Sequence, residues 1–164
     1  MRNNEHRFIA KYQSVLFVCT GNIFRSVTAE YGLKARLDAA TSCVVSSAGI
    51  DVKVQSMHDW VRSGLREKGA DSTAHVPRQL TKELVEAADL VIAMGLDHQT
   101  FIRERFGREV PLFNQVCLGR DQPILDIHEV MPDWETDPGR ARAYVKSVID
   151  VIWVTVPAIL SHLR

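Results

Sequence analysis

Short apolar runs alternate along the chain with stretches whose apolar residues recur at helical spacing. Val15-Leu16-Phe17-Val18-Cys19 is a continuous, β-branched run of the kind that forms a strand buried on both faces. A glycine-containing loop follows, and Ala29, Leu33 and Leu37, spaced four apart among charges, predict a helix from about Thr28 to Ala40. Cys43 to Ser47 reads as a second strand closed by Ala48-Gly49. A helix from about His58 to Lys68 should stop at Gly69, a common helix-ending residue. Thr81 can cap a short helix containing Glu83, Leu84 and Val85. Leu90 to Met94 is the next buried strand, Asp97 to Phe106 another helix, and Val110 to Phe113 a fourth short strand. The last helix is capped by Asp137, with Pro138 at its first position, and runs on to Leu160. Its middle, Val151 to Val156, is β-branched enough to imitate a strand, but length and capping outweigh that weak preference.

Strands alternating with helices imply βαβ units. The expected fold is therefore α/β: a single-domain, doubly wound, four-stranded parallel sheet with helices on both faces. Residues 1–14 are polar and read as a loose N-terminal tail, leaving 15–164 as the domain. Such sheets hold ligands beyond the carboxyl ends of their strands, and the loop after Cys19 lies at such an end.

Composition adds constraints. The chain is 46% hydrophobic and 24% charged with zero formal net charge, which argues against a broad electrostatic footprint for nucleic acid or an anionic membrane. The run from Val15 to Cys19 is too short for a signal-peptide core or a membrane span, so no membrane insertion is expected. Three scattered cysteines, Cys19, Cys43 and Cys117, make neither a disulfide framework nor a zinc site. A reduced, cytoplasmic setting follows, with a thiol free for chemistry.

That thiol stands in a suggestive place. A cysteine ending a strand, five residues, then Arg25-Ser26 opening a helix describes a phosphate site. Successive backbone N–H groups form an anion-binding concavity, and the helix start adds positive potential. Gly21 should permit backbone geometry closed to other residues. Arg25 can grip two phosphate oxygens through its planar fork. The same field favours a thiolate nucleophile at Cys19, to which the Ser26 hydroxyl can donate a hydrogen bond. Alone, Cys19 would read as a small buried hydrophobe; the cysteine–glycine–arginine–serine spacing reverses that reading.

Val15 through Glu30, with Cys19-Thr20-Gly21-Asn22-Ile23-Phe24-Arg25-Ser26 at its centre, resembles the opening motif of the low-molecular-weight protein tyrosine phosphatases. The resemblance continues at Ser47-Ala48-Gly49, at His75 to Glu83 and at Ala88 to Met94. It implies that Cys19 forms a phosphocysteine intermediate, that Arg25 clamps the phosphoryl group, and that Asn22, Ser26, Ser47 and His75 shape the loop and tune the thiolate. Without the motif, Ser47 reads equally well as a turn residue and His75 as a satisfied loop histidine. No metal or organic cofactor is implied, because the loop itself stabilises the developing charge.

The pattern also departs from that family. Phe24 stands where many members carry a second cysteine able to protect the first, which leaves Cys19 more open to over-oxidation. Val27 replaces a usual proline, while Cys43 and Cys117 read as strand-core packing. The proton donor, an aspartate before the last helix in the family, is ambiguous here. Asp133 is preferred over Asp137, which is well explained as a helix cap; Asp126 is third, and Glu129 reads as a solvated loop charge. Trp134 could stack on an aromatic substrate, and Ile23 favours phosphotyrosine over phosphoarginine by the resemblance. The resulting expectation is a protein tyrosine phosphatase, with Thr20 to Phe24 and Ser26 enclosing the phosphate. Its substrate would be a phosphotyrosine-containing protein, such as a tyrosine kinase of polysaccharide export; oligomeric state stays open. Two other readings keep the loop but change the role: an arsenate reductase, which needs further paired cysteines, and a catalytically weak oxyanion-binding regulatory module.

Overall fold

The computed structural model describes residues 12–164. β1 (Ser14–Cys19) is the central strand of a parallel sheet, flanked by β2 (Val44–Gly49) and β3 (Leu90–Ala93) in the order β2-β1-β3. The register runs from Ser14 opposite Val44 to Cys19 opposite Gly49, and from Val15 opposite Leu90 to Val18 opposite Ala93. Because side chains alternate along a strand, β1 feeds two cores. Val15, Phe17 and Cys19 join the cluster built with α1 (Arg25–Lys34), α2 (Asp59–Glu67) and α7 (Pro138–Thr155). Leu16 and Val18 join the cluster built with α3 (Lys82–Ala87) and α4 (Leu96–Phe106). Two short helices, α5 (Phe113–Leu118) and α6 (Ile127–Val130), complete the order. The α/β class, the parallel sheet and helices on both faces match the expectation.

The sheet has three strands rather than the expected four. Val110 to Phe113 contributes one bridge, Leu112 with Ala93, in which the Ala93 N–H donates to the Pro111 carbonyl at 3.0 Å. Pro111 has no N–H to extend a ladder. Gln115 then takes the Leu112 N–H at 2.7 Å and α5 begins at Phe113, so the run turns helical before it can pair further. The first helix also differs from 28–40: it opens at Arg25 and closes at Lys34. The Asp38 carboxylate then accepts from the Ala40 N–H at 3.0 Å and the Thr41 hydroxyl at 2.9 Å, a local alternative to helix continuation.

The last helix forms as expected, through the β-branched stretch to Thr155, and tightens to a 3₁₀ segment, Val156–His162, at Pro157. Pro138–His162 is long and apolar enough to cross a membrane by length and composition, but Ala141, Val145, Val148, Ile149 and Ile152 are buried in the core it shares with α1 and α2. Of the expected tail, residues 1–11 lie outside the described residues. Tyr12 is tied to the C-terminus, donating from its N–H to the His162 carbonyl at 2.7 Å, and Ser14 opens β1.

Candidate active site

β1 ends at Cys19 and α1 begins at Arg25, so five residues must turn a strand end into a helix start. Asn22 makes that turn at φ 56°, the one non-glycine residue with positive φ among those described. Asparagine tolerates this left-handed conformation far better than most side chains. Gly21, expected to supply the special geometry, does not: a Cβ there would meet Ile23 and Gln55 at ordinary distances of 3.4 and 3.5 Å. The glycine that the loop requires is Gly49, at the end of the neighbouring strand. A Cβ on Gly49 would stand 2.5 Å from the Thr20 carbonyl oxygen and 3.0 Å from the Asn22 nitrogen.

Asn22 is fully buried and its hydrogen bonds give the site a direction. Its Oδ1 accepts from the Arg78 backbone N–H at 3.0 Å, which fixes the amide orientation. Its Nδ2 therefore donates to both Ser26 Oγ, at 3.0 Å, and Ser47 Oγ, at 2.8 Å. Ser47 in turn donates its hydroxyl hydrogen bond to the buried Glu30 carboxylate at 2.6 Å. With Asn22 donating to its oxygen, Ser26 has its hydroxyl hydrogen left for Cys19 Sγ, 2.8 Å away. His75 Nε2 lies 2.7 Å from the Asn22 carbonyl, to which it donates. The structure thus brings Cys19, Asn22, Ser26, Ser47 and His75 into one network. Glu30 is its far anchor, paired in turn with Lys34 at 2.6 Å.

The Arg25 side chain is 2% exposed, a charge that needs partners. Nη1 donates to the Ile124 carbonyl at 2.8 Å and lies 3.7 Å from Glu129; Nη2 lies 3.4 Å from Thr20 Oγ1 and 4.0 Å from Asp126. Glu129, expected to be a free solvated charge, therefore faces Arg25, and it also accepts from the Asp126 N–H at 2.9 Å. His98 lies beneath the loop, fully buried. Burial first, then the charge of Arg25, push its pKa down from 6.5 to about 4, against the pull of Asp97. The Gly95 N–H donates to Nδ1 at 2.9 Å, so the neutral ring carries its proton on Nε2 and donates to Thr20 Oγ1, also at 2.9 Å. Two donors converge on that oxygen, which leaves the Thr20 hydroxyl proton free to meet an anion.

Above the loop opens a cavity of about 520 Å³, lined at its base by Cys19, Thr20, Gly21, Ile23, Phe24 and Arg25. Its walls include Trp134, as expected, and also Trp60, His58 and His128. Trp60 and Trp134 pack edge to face at 6.1 Å, and His58 lies tilted against Trp60 at 4.3 Å. Asp126 is the carboxylate of the 126–137 segment that lines the cavity; Asp133 and Asp137 do not. Asp133 is exposed, and its carbonyl and carboxylate accept from Thr136 at 2.8 and 3.4 Å. Asp137 caps α7 through the Arg140 N–H at 3.2 Å. Phe24 is buried in the core on the α1 side. Cys43 is buried beside β2, while Cys117 lies in α5 rather than a strand, its thiol pushed up to about 12 by burial. The sequence pattern assigned Trp60 and His58 no role at the site, although both follow the carboxyl end of β2, where such folds place ligands. His98, likewise beyond β3, sits in no motif.

A family model described as low molecular weight phosphotyrosine protein phosphatase matches residues 14–124. The chain belongs to that family. It is 33% identical to the low molecular weight protein-tyrosine-phosphatase Ptp of Acinetobacter johnsonii over 95 residues, which cover 57% of this chain and 65% of the relative. That stretch falls just short of two thirds of the relative's length. It is 35% identical to a protein-arginine-phosphatase of Bacillus subtilis over 125 residues, 68% of this chain and 77% of the relative. Among solved structures, the tyrosine phosphatase AmsI of Erwinia amylovora superposes with a TM-score of 0.77 at 26% identity, covering 94% of this chain and 95% of AmsI. The family match spans the loop, the Asn22 network and Arg25, and ends at Ile124, just before Asp126.

Proposed function

We propose that this family member hydrolyses phosphoryl groups on protein side chains through Cys19. The observation that carries the reading is the Ser26 hydroxyl, oriented by Asn22 toward Cys19 Sγ, in a loop that also holds the buried Arg25. The Cys19 thiolate attacks phosphorus, an S–P bond forms and the P–O bond to the side chain breaks. Arg25 and the loop N–H groups balance charge on the phosphoryl oxygens. The leaving oxygen takes a proton from Asp126, our choice in place of Asp133 because it lines the cavity beside Arg25. Asp126 then accepts a proton from water as that water attacks phosphocysteine, releasing inorganic phosphate and the thiolate.

Phosphotyrosine is the substrate we favour, its ring lying against Trp134 and Trp60; the walls are aromatic and Ile23 lies on the cavity floor. Phosphoarginine is the second reading, favoured by the similarity to the Bacillus subtilis arginine phosphatase. Arsenate reduction gains no support, since Cys43 and Cys117 are single free cysteines and burial raises both thiols. A protein substrate such as a tyrosine kinase of polysaccharide export, and a cytoplasmic site of action, remain part of the proposal.

The test is turnover of p-nitrophenyl phosphate, phenyl phosphate, a phosphotyrosine peptide and phosphoarginine. Cys19→Ser should abolish every activity. Asp126→Asn should slow phenyl phosphate, whose leaving group needs a proton, by about 10² or more, and p-nitrophenyl phosphate far less. Asp133→Asn should change neither. Hydrolysis that survives Cys19→Ser, or a leaving-group effect that follows Asp133, would overturn the reading. Phosphoarginine turned over faster than the phosphotyrosine peptide would select the second substrate.

A further inference from the structure

We infer that Tyr144 is a positioning residue that sets the Asp126 carboxylate against the phosphate site and so governs proton transfer to the leaving group. This rests on the reading of Asp126 as the acid. Asp121 to Asp126 has no regular secondary structure, so its path depends on what grips its backbone. At Ile124 the N–H donates to the Met94 carbonyl at 2.8 Å, and the carbonyl accepts from Arg25 at 2.8 Å. At Asp126 the N–H donates to Glu129, and Oδ1 accepts from the Ile127 N–H at 2.9 Å. Leu125, between them, offers a partly exposed side chain, and its carbonyl takes the Tyr144 hydroxyl.

Tyr144 projects from the second turn of α7, a helix whose inner face is locked into the core with α1 and α2. Its phenol is therefore a strut from rigid structure to the residue next to Asp126. Burial raises its pKa, with Asp126 and Glu129 adding and Arg25 opposing, so the hydroxyl stays a neutral donor through the working range. In Tyr144→Phe the ring remains and the Leu125 carbonyl turns to water. The expected damage is a loosened carboxylate, with the nucleophile and the phosphate clamp intact.

The experiment measures kcat and KM for phenyl phosphate and p-nitrophenyl phosphate in wild type, Tyr144→Phe, Asp126→Asn and the double variant, with thermal melts confirming folding. Tyr144→Phe should lower kcat for phenyl phosphate about tenfold, and for p-nitrophenyl phosphate less than about twofold, with KM unchanged. In the Asp126→Asn background the same change should add nothing. Equal losses on both esters, or a full additional loss in the double variant, would make Tyr144 merely structural and overturn the inference. No leaving-group effect in Asp126→Asn itself would instead refute the acid reading, and this inference with it.

Discussion

Lowering the pH from 6.5 to 4 should destabilise the fold by about 3 kcal/mol through His98 alone. The ring is fully buried, its Nδ1 already receives the Gly95 N–H, and Arg25 lies close, so a second proton would meet a donor on one side and a cation on the other. Its pKa is held at about 4, against 6.5 when free. Between those values the unfolded chain binds a proton that the folded chain refuses. Stability therefore rises with pH through this window, is fully present above about 6.5 and is lost toward 4. Two and a half units at about 1.36 kcal/mol each set a limit of about 3.4 kcal/mol for the whole titration, of which about 3 kcal/mol falls inside the window, a large share of a typical stability of about 5–15 kcal/mol. Urea unfolding of wild type and His98→Gln, at intervals from pH 4 to 7, measures it. Carboxylates titrate over part of the same range, so the difference between the two curves carries the answer. Wild type should gain about 3 kcal/mol more than the variant across the window. Parallel curves would refute a neutral, buried His98 under the phosphate loop.

Two further substitutions probe the loop from behind. Gly49→Ala drives a methyl group into the Thr20 carbonyl and the Asn22 nitrogen; it should cost about 1–3 kcal/mol, visible as a lowered melting temperature, and weaken inhibition by inorganic phosphate. Glu30→Ala leaves the buried Ser47 hydroxyl without its acceptor and should cost about 1–3 kcal/mol in urea unfolding. Lys34→Ala removes only the half-exposed partner of the same carboxylate and should cost less than about 1 kcal/mol; equal costs would mean that Glu30 acts through its surface ion pair.

What was legible in the sequence followed from how local each feature is. Val15 to Cys19 and Leu90 to Met94 announce themselves because a strand covered on both faces needs no alternation, and the anion loop is one contiguous stretch whose donors, arginine and nucleophile arrive together. Val110 to Phe113 looked the same by composition, but Pro111 and the Gln115 side chain decided its pairing, and neither enters a hydrophobic pattern. Gly49 was visible only as a strand end, because its constraint comes from the backbone of Thr20 and Asn22, in a loop distant in sequence. His98 is defined by the loop that it supports from β3's far end.

The carboxylates show the same limit most clearly. Asp126, Asp133 and Asp137 all precede the last helix, and an aromatic neighbour made Asp133 attractive. Their difference is one of backbone path. Asp137 is consumed by capping α7 and Asp133 turns to Thr136, whereas the 121–126 segment is drawn inward by the Arg25 guanidinium on the Ile124 carbonyl. The residue that grips phosphate in the proposed reaction is thus also one of those that hold the segment leading to Asp126. Loop and acid then form one electrostatic unit, and a substitution at Arg25 should disturb both.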